Sequence, residues 1–113
     1  MCKRSDIDYL FDIRESIGRI RSFVKKTTYR KYQDDVMVQD AIIRNMEIIG
    51  EASKNITDDF KKKQLQIPWK NLAGVRDKLI HDYFGVDLEI IWDIAKKELP
   101  ILLPKINEIL KKK

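Results

Sequence analysis

The chain contains one histidine, His81, and the residues around it are types that can move protons and hold anions. Arg76 stands five residues before it, Asp77 four before it and Tyr83 two after it. An imidazole titrates near neutrality, so His81 could serve as general acid or general base. On an α-helix each residue advances about 100°, so Arg76 and Tyr83 project from nearly the same face. By the same count His81 lies about 140° round from Arg76, and the two flank one broad face. Asp77 is one helical turn from His81, close enough for its carboxylate to accept an imidazole N–H and fix the tautomer. Each residue also has a structural reading: a surface histidine, a solvated Arg–Asp pair, and a core tyrosine with a wet hydroxyl.

These residues need a helix firmly held by its neighbours, and the surrounding stretch supplies one. Trp69, Leu72, Val75, Leu79, Ile80 and Phe84 give it an apolar side, Pro68 suits its first turn and Gly85 its C-terminal end. Upstream, Ile7, Leu10, Ile13, Ile17, Ile20 and Val24 recur every three or four residues, predicting an amphipathic helix from about Ser5 to Thr28 with Ser5 or Asp6 as its N-cap. Thr27 to Gln33 breaks that pattern and reads as a connection. A second helix, capped by Asp34 or Asp35, runs to about Asn55 and turns Val38, Ile42, Met46, Ile49, Ala52 and Ile56 inward. Gly50 within it suits a close helix–helix approach, possible between subunits. Glu47 and Glu51 share a face at a spacing that could bind a metal, but Arg44 beside them favours a salt-bridged surface. Thr57, Asp58 and Asp59 start a short helical piece, with the acids as cap and first-turn residues. Asp87 is a natural N-cap for a last apolar helix, which should kink or split at Pro100 and Pro104.

The whole chain fits that reading. At 113 residues it is expected to form one domain over 1–113 with a modest core. Four glycines and three prolines leave little material for a many-stranded sheet, so the expected fold is all-α, an up-and-down bundle of four or five helices. No apolar run approaches the roughly 18 residues of a membrane span, and the N-terminus has no signal-peptide core, which predicts a cytoplasmic protein. The lone Cys2 offers no internal disulfide, and no Cys/His cluster suits zinc, so no metal or other cofactor is expected. The net charge of +5 is compatible with a phosphate-rich partner without requiring one.

The order Arg76, four residues, His81, one residue, Tyr83 resembles the signature of HEPN-domain proteins, and most closely that of the HepT-like toxin branch. Residues 40–52, from Asp40 through Arg44-Asn45-Met46-Glu47-Ile48-Ile49-Gly50-Glu51 to Ala52, are similar to that branch's second helix. Ile67-Pro68-Trp69 before the motif, with Gly85-Val86-Asp87, Ile91-Trp92 and Leu99-Pro100 after it, extend the likeness from about Asp40 to Leu103. The resemblance implies a HEPN-like bundle that dimerises about a two-fold axis with the motif helices at the interface. It also implies a metal-independent ribonuclease, the toxin of a type VII-like toxin–antitoxin pair. Its partner would be a minimal nucleotidyltransferase antitoxin that neutralises it by moving AMP to the motif tyrosine, here Tyr83.

The chemistry makes the same demand for two chains. Metal-free RNA cleavage needs a base for the 2′-hydroxyl, an acid for the leaving 5′-oxygen and a cation for the phosphorane. One chain carries one imidazole, and a two-fold dimer brings two copies of Arg76 and His81 into one cleft. Asp77 departs from the family pattern, which often has Asn there; its charge would weaken RNA binding unless Arg76 or His81 neutralises it. Two other readings use the same residues. One is a non-catalytic module that binds nucleotide or substrate for a nucleotidyltransferase; the other is a plain helical dimerisation protein.

Overall fold

Ser5 starts the first helix, α1 (Asp6–Lys25), through a reciprocal cap. Its hydroxyl accepts the Asp8 N–H at 3.2 Å, while the Asp8 carboxylate accepts the Ser5 N–H at 2.9 Å. The computed structural model describes residues 4–81 and 88–112, and for 76–81 the backbone alone. Within those bounds α1 is followed by α2 (Tyr29–Asp34), α3 (Val36–Asn55), α4 (Asp58–Lys63), α5 (Trp69–His81), α6 (Leu88–Asp93), a π-helical turn over Ile94–Glu98, and α7 (Leu99–Lys111). All regular structure among the described residues is helical, so the all-α expectation holds.

The core lies where α1 and α3 face each other. Leu10, Ile13, Ile17 and Ile20 of α1 and Ile42 of α3 are fully buried, and Met46 and Ile49 nearly so. Each such side chain is worth about 1.5–3 kcal/mol on removal from water, which outweighs any propensity term in these helices. α5 packs on α3, and α7 packs on α1.

Hydrogen bonds between distant residues fix which helix ends meet. The Asp6 carboxylate accepts both the Thr57 N–H (2.8 Å) and the Thr57 hydroxyl (2.7 Å), bringing the start of α1 to the end of α3. The Tyr32 hydroxyl donates to the Leu88 carbonyl at 2.9 Å, bringing the start of α3 to the start of α6. α1 and α3 are therefore antiparallel, and α6–α7 returns along α1 in the opposite sense. The long segments form the expected up-and-down bundle.

Two local expectations need correction. Residues 29–34 are a helix rather than a connection. Thr28 caps it by accepting the Lys31 N–H, and the Gln39 side chain donates to the Tyr32 and Gln33 carbonyls at its end. The buried Tyr32 side chain is the tertiary anchor that overrides the weak local signal. In the C-terminal segment the break precedes Pro100 instead of falling at both prolines. The π turn closes with Leu99 N–H to the Ile94 carbonyl, Pro100 occupies the first turn of α7, and α7 runs through Pro104. The expected caps at Ser5 and Asp35 are present, while α4 is capped by Thr57 and both acids, Asp58 and Asp59, fall in its first turn; Gly85 and Asp87 lie outside the described residues.

The Ser5 cap has a pH signature. Its amide hydrogen bond, then its hydroxyl and the charge of Arg4, hold the Asp8 carboxyl below its ordinary value of 3.8. A depressed carboxyl stabilises the fold above the unfolded-state value and loses that contribution as pH falls through the folded one. In thermal melts, the wild-type advantage over Asp8→Asn should be full at neutral pH and disappear in acid below the usual carboxylate range. An advantage that persists there would show that the carboxylate is not its source.

Candidate active site

α5 enters the bundle through a set of aromatic and apolar anchors. Ile67 and Leu72 are buried, and Trp69 is half-buried with its indole N–H donating to the Gln64 carbonyl at 3.0 Å. The Phe60 ring meets Trp69 edge-on with centroids 6.2 Å apart. The Pro68 carbonyl accepts the Leu72 N–H at 3.1 Å, so Pro68 stands just before the helix it was expected to open. Met46 and Ile49 of α3 share an apolar cleft with Pro68 and with Asn71, Leu72 and Val75 of α5. The later half of α3 thus faces the earlier half of α5. With the Tyr32–Leu88 bond, this directs the C-terminal half of α5 toward the pole where α2 and α6 meet.

Arg76, Asp77 and His81 all fall on α5, and His81 is its last residue. The helical backbone supports the angular relations expected of them: Asp77 one turn before His81, and Arg76 about 140° from it. Tyr83 lies outside the described residues. Among the described residues, nothing closes off the flank of α5 leading to Arg76. Asn71 is exposed, Ala73, Gly74 and Val75 are half-exposed, and a Cβ at Gly74 would meet nothing within 4 Å among the described residues. Ile101, which lines a neighbouring groove with Pro68, Glu98, Leu102 and Lys105, is 65% exposed.

Glu47 and Glu51 lie on one face of α3, as their spacing requires. Both carboxylates line an open groove of about 350 Å³ with Tyr9, Asp12, Arg44 and Asn55. Among the described residues no three His, Cys, Asp or Glu side chains are grouped to hold a metal ion, and no ion pair joins Arg44 to Glu47. A basic residue preceding its acid along the helix is the weaker order for such pairs. Gly50 is buried in α3, in keeping with a tightly packed position.

Sequence reasoning missed the aromatic cluster at the far end of α5. Tyr32 is fully buried between Tyr29 and Trp92, with centroids 6.1 and 4.9 Å away. Tyr29 and Trp92 are 5.7 Å apart. The signal was present: Tyr29 and Tyr32, three apart after a capping threonine, fall on one side of a single helical turn.

A family model described as "Ribonuclease HepT-like" matches residues 13–109. The chain belongs to this family. It is 47% identical over 109 residues to "Probable ribonuclease HepT" of Thermococcus cleftensis, covering 96% of this chain and 99% of the relative. It is 44% identical over 111 residues to "Putative RNase MJ0127" of Methanocaldococcus jannaschii, covering 98% and 92% of the two chains. No solved structure matches it significantly. The HEPN-type resemblance drawn from the motif residues is therefore established at the level of family and fold.

The open flank gives a direct test of the packing around α5. Glycine inside a helix costs about 1 kcal/mol relative to alanine. Since an added methyl has room at position 74, Gly74→Ala should raise the unfolding free energy by about that amount in denaturant titration. A loss of stability would mean that something outside the described residues fills the space.

Proposed function

We propose that this HepT-family chain is a metal-independent endoribonuclease working as a two-fold dimer in the cytoplasm, and the toxin of a toxin–antitoxin pair. The observation carrying this reading is the placement of Arg76 and His81 on one helix, α5, whose flank the described residues leave uncovered. Family membership supports ribonuclease chemistry, and the names of the relatives agree with it. The half-exposed stretch from Ala73 to Val75 gives a second α5 a place to approach. Two chains would then supply the second imidazole that acid–base cleavage needs.

In this mechanism one His81 takes the proton of the RNA 2′-hydroxyl, and that oxygen attacks the adjacent phosphorus. The other His81 gives a proton to the departing 5′-oxygen. Arg76 binds the scissile phosphate and offsets the charge that builds on it. Asp77 orients His81 or Arg76. The products are a 2′,3′-cyclic phosphate and a 5′-hydroxyl, and DNA, which lacks the attacking group, is spared. Among the described residues no helix is long and apolar enough to cross a membrane.

Purified protein should cut RNA in EDTA and leave cyclic-phosphate ends. His81→Ala should lose at least a hundredfold in rate while keeping its oligomeric mass. Undiminished cutting by that variant would remove His81 from the mechanism. No cutting by unmodified wild type would favour the nucleotide- or substrate-binding module.

Regulation would come from the minimal nucleotidyltransferase antitoxin, which transfers AMP to Tyr83. The added phosphate would compete with RNA for the charge of Arg76. Co-expression of the pair should give an adenylyl mass on the peptide carrying Tyr83, with loss of RNA cutting. An unmodified peptide would argue against this control.

A further inference from the structure

The aromatic cluster at the α2–α6 pole has a composition that core packing alone does not require. Tyr32 is its buried member, but Tyr29 is only half-buried and forms its outer edge. Basic residues neighbour the cluster in the fold and in sequence. Lys96 holds its ammonium 5.9 Å from the Trp92 ring centroid, Lys26 caps the end of α1 three residues before Tyr29, and Arg30 follows Tyr29 on the helix. Lys26, Arg30 and Lys96 are all exposed. Two of the neighbouring acids are committed elsewhere: Asp93 pairs with Lys97 at 3.6 Å, and Asp35 caps α3 by accepting the Val38 N–H, while Asp34 and Glu89 are exposed at the same pole. The Tyr32–Leu88 bond holds this cluster against the start of α6, seven residues beyond His81 in the chain.

We infer that Tyr29, backed by Tyr32 and Trp92 and rimmed by Lys26, Arg30 and Lys96, is a stacking platform for a base of single-stranded RNA next to the motif helix. The inference rests on the ribonuclease reading and names a substrate contact for it. A half-exposed ring supported from behind presents a face to a base without losing much freedom, and the cations track the flanking phosphates. The platform lies outside the acid–base machinery, so it governs how tightly RNA is held and leaves the chemical step alone.

The test is cleavage kinetics on a short single-stranded RNA, with parallel binding of the same RNA carrying 2-aminopurine to the His81→Ala protein. Tyr29→Ala should raise KM about tenfold with kcat within twofold, as expected for loss of one base–aromatic stack. It should also abolish the 2-aminopurine quenching that stacking produces. Tyr29→Trp should restore both, and Lys96→Glu should weaken binding with a shallower salt dependence. Thermal melts identify any variant that loses its fold, in which case the Tyr29→Trp and Lys96→Glu results decide. If wild type cuts RNA and KM and quenching do not respond to Tyr29, the platform is wrong. If wild type neither cuts nor binds RNA, the ribonuclease reading fails, and the platform fails with it.

Discussion

Everything in this fold leans on the dry seam between α1 and α3. Leu10, Ile13, Ile17 and Ile20 close against Ile42, Met46 and Ile49 with almost no solvent contact. Two polar atoms are trapped there at a cost: Ser16 Oγ and Asn45 Oδ1 are buried without a hydrogen-bond partner. The seam gives α5 a rigid wall on one side, since α3 presents its core face to α1 and its flank to α5. A helix carrying reactive residues gains from such a wall, because side chains on a fixed backbone lose less freedom when they meet a substrate.

That arrangement also explains why α5 is only partly enclosed. α3 takes one flank, and the C-terminal segment reaches its first half through Ile94, Leu99 and Leu102. The remainder, around Gly74, is left uncovered by the described residues. A bundle that buried α5 completely would remove more apolar surface from water. The partial cover is a compromise between holding the motif and presenting it.

Much of this was legible in the sequence, for identifiable reasons. The long helices announced themselves because burial dominates their energetics, so Leu10 to Val24 and Ile42 to Ile49 show the helical period directly. Their starts were legible because Ser5 and Asp35 satisfy free amides locally. The motif residues were legible as a pattern of types at fixed spacing, and the family match covers residues 13–109. α2 was hidden because six residues carry too little periodicity to outvote two threonines, and its anchor, Leu88, lies 56 positions from Tyr32. The Arg44–Glu47 pair read from spacing did not form, since spacing on a helix permits an ion pair without dictating rotamers. The uncovered flank of α5 was invisible for a further reason: exposure of a half-apolar face depends on what the rest of the chain leaves undone.

The π turn at Ile94–Glu98 works as an angular vernier. One extra residue in a turn sets the following helix back by roughly a quarter of a revolution. Before the turn, α6 aims Trp92 at Tyr29 and Tyr32; after it, α7 aims its apolar stripe at α1. A uniform α-helix through the same residues would have to misalign one of these contacts to satisfy the other. The wide turn lets one continuous rod be keyed to two partners at different azimuths, and it sits where Pro100 already lacks a donor for the regular ladder. The mechanical linkage between the aromatic pole and the main seam therefore passes through five residues of altered pitch.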